Sequence, residues 1–247
     1  MRILLTNDDG IDAKGLAALA EAMRAFGEII VVAPDGNRST CAHSLTLERP
    51  LRVAPTKADW FACDGTPADC VHLALNGLLR ERRPELVISG INQGGNLGQD
   101  LTYSGTVMAA LEAVLIGVPA FAISVDARDN FDFGGATAIA ARVAAGIIRH
   151  GLPAGTLLNV NVPNGPAAAL KGLRVTRQGK RVYGDEIQER VDPRGKTYYW
   201  IAGQELGFEE IEGSDMVAVR EGYASLTPIS CDMTNHSFLQ ELADRPW

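Results

Sequence analysis

Residues 2–33 read RILLTNDDGIDAKGLAALAEAMRAFGEIIVVA, and this stretch decides the fold. Its two ends, residues 2–6 and 29–33, are short apolar runs, and an Ala-rich helical segment from Gly15 to Phe26 separates them. Strand, helix and strand at that spacing make a βαβ unit, which predicts parallel pairing. The rhythm continues: Leu86–Ser89, Pro119–Val125 and Leu157–Val162 read as strands, with helices over about 67–82, 105–117 and 134–150 between them. Thr66 can cap the helix at 67, Pro67 suits its first turn and Asp69 lies three residues after the cap. The fold class expected is therefore α/β, a three-layer, mostly parallel, Rossmann-like sheet.

Past residue 165 the pattern changes. Leu173–Arg177, Gln188–Val191 and Lys196–Ile201 read as strands, and Asp192-Pro193-Arg194-Gly195 as the turn between the last two. The chain thus divides into a core over 1–165 and a smaller elaboration over 166–247 with a long C-terminal β-hairpin. A two-stranded hairpin is marginal alone in water. Its Tyr198, Tyr199 and Trp200 must either cover the core of their own chain or meet a partner subunit.

A chain of 247 residues, 46% hydrophobic, can bury one large α/β domain. Its net charge of -7 argues against a nucleic-acid partner, whose footprint is clustered Lys and Arg. No run approaches the roughly 18 apolar residues of a membrane span, and Met1 to Asp8 lacks the apolar core of a secretory signal, so a cytoplasmic location is expected. The cysteines at 41, 63, 70 and 231 form no CxxC pair and read as reduced thiols.

Sites in parallel α/β sheets form outside the carboxyl ends of the strands. The first strand ends in Thr6-Asn7-Asp8-Asp9-Gly10. Two adjacent ionised carboxylates repel, and a hard divalent cation relieves that repulsion; the same residues also suit a plain solvated turn. The second strand leads into Pro34-Asp35-Gly36-Asn37-Arg38-Ser39-Thr40, where Ser39 offers a further oxygen ligand unless the loop is an ordinary connection. The third runs into Ser89–Asp100, with four glycines and two asparagines, Asn92 and Asn96. Glycines let amides approach a phosphate, and Asn offers both a carbonyl and a donor. Ser104-Gly105-Thr106 then opens a helix, as a simple cap or as an anion site at a positive dipole end. His43, His72, His150 and His236 read as structural.

Taken in order, Thr6–Gly10, Asn37-Arg38-Ser39, Asp64-Gly65-Thr66-Pro67-Ala68-Asp69-Cys70-Val71, Gly90-Ile91-Asn92 through Tyr103-Ser104-Gly105-Thr106-Val107, and Gly222-Tyr223 with Ser225–Pro228 make the chain resemble, end to end, the SurE (survival protein E) family of nucleotidases. The resemblance implies a 5'-nucleotidase, a phosphomonoesterase acting on nucleoside 5'- and also 3'-monophosphates. It implies one divalent metal ion per subunit, Mn²⁺ or Mg²⁺, held by Asp8, Asp9, Ser39 and Asn92, with Asp8 and Asp9 also catalytic. Asn96, Ser104, Gly105 and Thr106 would surround the phosphate. It further implies a homodimer or homotetramer with exchanged C-terminal elements. Thr40-Cys41-Ala42-His43 departs from the Gly-rich stretch common in the family at this place. The alternative from another class is a non-catalytic nucleotide-binding regulatory module.

Overall fold

The computed structural model describes residues 1–184, 186–201 and 204–246. Its strands are β1 (Arg2–Thr6), β2 (Glu28–Pro34), β3 (Val53–Lys57), β4 (Trp60–Cys63), β5 (Leu86–Gln93), β6 (Ala120–Asp126), β7 (Thr156–Pro163), β8 (Leu173–Val175), β9 (Arg181–Gly184), β10 (Ile187–Val191), β11 (Thr197–Ile201), β12 (Gln204–Phe208) and β13 (Ala224–Ser230). Its helices are α1 (Lys14–Met23), α2 (Pro67–Leu73), α3 (Gly105–Leu115), α4 (Gly134–His150), α5 (Asp215–Arg220) and α6 (Leu239–Ala243).

Nine strands form one sheet in the order β3-β4-β2-β1-β5-β6-β7-β13-β8. Within it only β3–β4 and β7–β13 pair antiparallel. Alternation along the strands splits the core into two layers. Ile3, Leu5, Val31 and Ile88 face Leu16 and Leu19 of α1 and Ile139 and Val143 of α4. Leu4, Ile30, Val32 and Val87 face Val71 of α2 and Val107 and Leu111 of α3. This is the expected three-layer arrangement, with helices on both faces of the sheet. The order reverses between β1 and β5, so the crevice at their carboxyl ends is the switch point where ligands bind in such sheets.

Several boundaries differ from those expected. Helix α2 stops at Leu73 and continues as a wide turn over Ala74–Leu78, with Leu79 N–H donating to Ala74 O at 2.8 Å. Asn76 and Gly77, both poor helix formers, lie in that turn. Strands β3 and β13 carry Pro55 and Pro228, which weakens any strand reading. Pro55 lies on the edge strand, and Pro228 lies past Leu226, the last β13 residue paired with β8. The hairpin β10–β11 stands apart from the main sheet. Tyr199, Trp200 and Ile201 are 60%, 61% and 92% exposed, so these side chains do not cover their own chain's core.

Two glycines set how closely the layers approach the crevice. A Cβ on Gly15 in α1 would lie 2.1 Å from the Ile91 carbonyl oxygen, beside Asn92. Gly90 has φ +142°, and a Cβ there would lie 2.3 Å from Ile123 O. In an unobstructed helix Gly→Ala stabilises by about 0.5–1 kcal/mol. Here we expect Gly15→Ala to destabilise by about 1–3 kcal/mol, the usual cost of overpacking. The thermal midpoint should then fall by about 2–4 °C per kcal/mol; a raised midpoint would contradict this packing.

Candidate active site

At the end of β1, Asn7 closes the turn through its own side chain. Its Nδ2 donates to Gly10 O at 2.9 Å and its Oδ1 accepts from Gly10 N–H at 3.2 Å, while Gly10 takes φ +102°. Asn-Asp-Asp-Gly is thus a turn, and the turn presents the two carboxylates. Asp8 is buried and bound to the start of α3: Thr106 Oγ1 donates to Asp8 Oδ1 at 2.5 Å, and Thr106 N–H to Asp8 Oδ2 at 3.1 Å. Gly105 is required for this approach, since a Cβ there would lie 3.0 Å from both Asp8 Cβ and Cys41 Sγ. Asp9 is half-buried, and its Oδ2 accepts from Gln93 N–H at 3.2 Å.

Burial pushes the Asp8 carboxyl above its ordinary value despite the Thr106 hydrogen bonds. Burial first and the charge of Asp8 second push Asp9 up to about 6. Two carboxyls raised in this way form a place where a cation lowers the energy.

Asp8, Ser39, Asn92, Asn96 and Ser104 line one cleft of about 460 Å³, together with Thr40, Gln93, Gly94, Gly95, Asp100, Tyr103 and Tyr183. Asp9 opens instead onto an adjoining hollow with Asp12, Asp35 and Asn37, and Gln93 borders both spaces. Gly105 and Thr106 are not among the residues that line the cleft, and the Thr106 hydroxyl turns to Asp8. None of the described residues lining the cleft is a Lys or Arg. A separate apolar hollow of about 250 Å³ between Val114, Gly117, Leu152 and Gly155 lies at the opposite edge of the sheet and contains no titratable side chain.

The donor set suits a hard divalent ion. Asn92 Nδ2 donates to Gly94 O at 2.7 Å, which leaves its Oδ1 as an oxygen ligand. Ser39 N–H and Oγ–H both donate to Asn37 Oδ1, at 2.8 and 2.7 Å, so the Ser39 hydroxyl keeps its lone pairs. Each Asp8 oxygen likewise retains accepting capacity. Carboxylate, amide carbonyl and hydroxyl oxygens match Mg²⁺ or Mn²⁺ chemistry. Among the described residues no three His, Cys, Asp or Glu side chains form a metal cluster, so such an ion would depend on the Ser and Asn oxygens as well.

At the α3 terminus, Val107 N–H donates to Ser104 Oγ at 3.1 Å and Thr106 N–H is taken by Asp8. Ser104 lines the cleft, and its hydroxyl hydrogen remains for an anion. Asn96 is buried: its N–H donates to Asn161 Oδ1 at 2.7 Å, its Nδ2 to Ser124 Oγ at 2.8 Å, and its carbonyl accepts from Asn159 Nδ2 at 2.8 Å.

Several positioning residues escaped the sequence reading. Asn159 and Asn161 clamp the loop after β5, and their signal was present: two asparagines, two residues apart, in an otherwise apolar strand. Asp215 accepts from Gly98 N–H at 2.9 Å and from Gly179 N–H at 2.8 Å, tying the far end of the same loop to α5. Asp69, read only as a capping residue, also binds Thr46: its Oδ1 accepts from Thr46 N–H at 2.9 Å and its Oδ2 from Thr46 Oγ1 at 2.6 Å. His43 Nε2 and His72 Nδ1 bind the two oxygens of buried Glu112 at 2.8 and 2.7 Å. The His43 bond, helped by His72, holds the Glu112 carboxyl below its usual range in spite of burial. The Asp69–Thr46 and His43–Glu112 contacts fasten the loop that carries Ser39, and His72 holds Glu112 from α2. In the Thr40–His43 departure, Thr40 and Ala42 take φ +63° and +50°. The backbone thus keeps a shape suited to glycine, at on the order of 1–2 kcal/mol per residue.

A family model described as survival protein SurE matches residues 3–185. A protein of Geotalea uraniireducens (strain Rf4) called 5'-nucleotidase SurE is 53% identical over 243 residues, covering 98% of both chains. Another of that name, from Geobacter sulfurreducens, is also 53% identical, over 98% of this chain and 92% of its own. The crystal structure of the SurE protein of Aquifex aeolicus matches with a TM-score of 0.89 at 44% identity, covering 98% of each chain. By sequence and by fold, the chain belongs to the survival protein SurE family.

Proposed function

We propose that the chain is a divalent-metal-dependent phosphomonoesterase that hydrolyses nucleoside 5'-monophosphates, and 3'-monophosphates as well, to nucleoside and phosphate. The relatives' shared name supports nucleotidase activity. The observation that carries the metal dependence is the cleft wall, which holds the Asp8 carboxylate and, among the described residues, no Lys or Arg, while its second carboxylate, Asp100, is paired with Arg181 from outside the lining. A phosphate dianion entering this space needs a cation that the lining does not supply.

Asp8, Asp9, Ser39 and Asn92 would hold that ion, one per subunit. When bound, Mn²⁺ or Mg²⁺ neutralises phosphate charge and makes water a stronger nucleophile. The protein supplies the rest. Ser104 Oγ–H and Gly105 N–H donate to phosphate oxygens at the positive end of α3. Asn96 Nδ2 carries a second hydrogen, beyond the one given to Ser124, for the same purpose. Thr106 acts behind the site by fixing the orientation of Asp8. A carboxylate of the Asp8–Asp9 pair takes the proton of the attacking water.

The exposed aromatic and aliphatic side chains of β10–β11 support assembly into a homodimer or homotetramer with exchanged C-terminal elements. No helix among the described residues is long and apolar enough to cross a membrane.

Phosphate release from a panel of nucleoside monophosphates, with Mn²⁺, Mg²⁺ or chelator, tests the activity. We expect metal-dependent release that Asp8→Asn and Asp9→Asn each lower by about 100-fold or more, because several kcal/mol of charge stabilisation is at stake. Release from no substrate under any metal would favour a nucleotide-binding module instead. Assembly is tested by sedimentation. Wild type should exceed single-chain mass and Trp200→Glu/Ile201→Glu should approach it, whereas a monomeric wild type would contradict hairpin-mediated assembly.

A further inference from the structure

The cleft is larger than a phosphate needs. At about 460 Å³ it falls among pockets that enclose whole organic ligands, roughly 300–1,000 Å³. Its polar side is made by Asp8, Ser39, Asn92 and Ser104, and two aromatic rings, Tyr103 and Tyr183, line the same space. Tyr103 immediately precedes the α3 cap and is 66% exposed, and Tyr183 is 47% exposed. Apolar ring surface left this open adds little to folding.

Tyr183 is nevertheless fixed in place. Its hydroxyl donates to Asp100 Oδ1 at 2.5 Å, Asp100 Oδ2 pairs with Arg181 Nε at 2.5 Å, and Arg181 N–H donates to Gln99 Oε1 at 2.9 Å. These contacts join β9 to the turn that ends in Tyr103. They also pair the Asp100 charge, so that carboxylate does not repel an incoming anion. A ring held before the ligand arrives loses little side-chain entropy on binding.

We propose that Tyr103 and Tyr183 form an aromatic wall on which the heterocyclic base of the nucleotide stacks, making them specificity-determining residues of the cleft. This deepens the nucleotidase reading and rests on it for the position of the phosphate. Stacking on a π-face tolerates every base, so this wall selects nucleotides over base-free sugar phosphates without choosing among purines and pyrimidines. Tyr183 comes from the segment after residue 165, which therefore completes the substrate site as well as extending the sheet.

Two unreactive probes separate the halves of the cleft: adenosine for the wall and inorganic phosphate for the polar side, each titrated calorimetrically into the full chain with Mn²⁺. In Tyr103→Ala and in Tyr183→Ala, adenosine affinity should fall about 5- to 150-fold, the range for one stacked base. Phosphate affinity should stay within about twofold, because phosphate has no ring to stack. Tyr183→Phe, which keeps the ring, should hold adenosine within about threefold of wild type. Adenosine binding that is absent in wild type, unchanged in both alanine variants, or lost in step with phosphate would overturn the proposal. If adenosine binding depends on the rings while adenosine monophosphate releases no phosphate, the wall stands and the hydrolase reading fails.

Discussion

The carboxylate of Asp8 is kept from water at the end of the central strand, beside a second carboxylate, with Thr106 as its fastening. Desolvating a charge is costly unless a partner compensates. Two neutral hydrogen bonds only partly offset that cost, so burial still holds the Asp8 carboxyl above its ordinary value. Much of the surrounding structure follows from holding this pair in position. Gly105 lacks a side chain so that α3 can touch Asp8, and Arg38 N–H donates to Asp8 O at 2.7 Å, which brings Ser39 to the cleft that Asp8 lines.

The loops that complete the site are not left to their own geometry. The loop after β5 is held along its length by Asn159, Asn161, Ser124 and Asp215, each reaching it from a rigid strand or helix terminus. The loop after β2 is held by Asp69 and by the His43–Glu112–His72 cluster. These partners lie far from the loops in sequence, 65 residues for Asn96 and Asn161, so the precision of the site depends on the whole sheet forming. That arrangement suits a centre whose ligands must be preorganised before a small, strongly charged group arrives.

Much of this was legible in the sequence because it depends on period and order. Alternating strands and helices gave the parallel core, and the rule that sites lie at carboxyl strand ends pointed to Asp8, Ser39, Asn92 and Ser104 before their geometry was known. The missed features have physical reasons. Strands β3 and β13 carry proline at places where the sheet does not need the lost N–H. Asp69 and Asp215 look like helix-terminus residues locally, and their second partners, Thr46 and Gly98, are distant in the chain. Tyr183 sits on a strand of four residues, Arg181–Gly184, too short to show an alternating pattern, so its place in the cleft is a tertiary fact. Thr106 was expected beside the phosphate, and the structure puts its side chain behind Asp8.

The central claim is that the Asp8–Asp9 pair is a cation site. The most direct measurement is the thermal midpoint of the full chain with chelator and with rising Mn²⁺, for wild type and Asp8→Asn. A ligand that binds only the folded state at about 100 times its Kd adds about 2.7 kcal/mol of stability. The account predicts a midpoint that climbs with Mn²⁺ in wild type and stays flat in Asp8→Asn, whose chelator-treated form is at least as stable as chelator-treated wild type because one buried charge is gone. A wild-type midpoint indifferent to Mn²⁺, or an equal climb in both proteins, would contradict it.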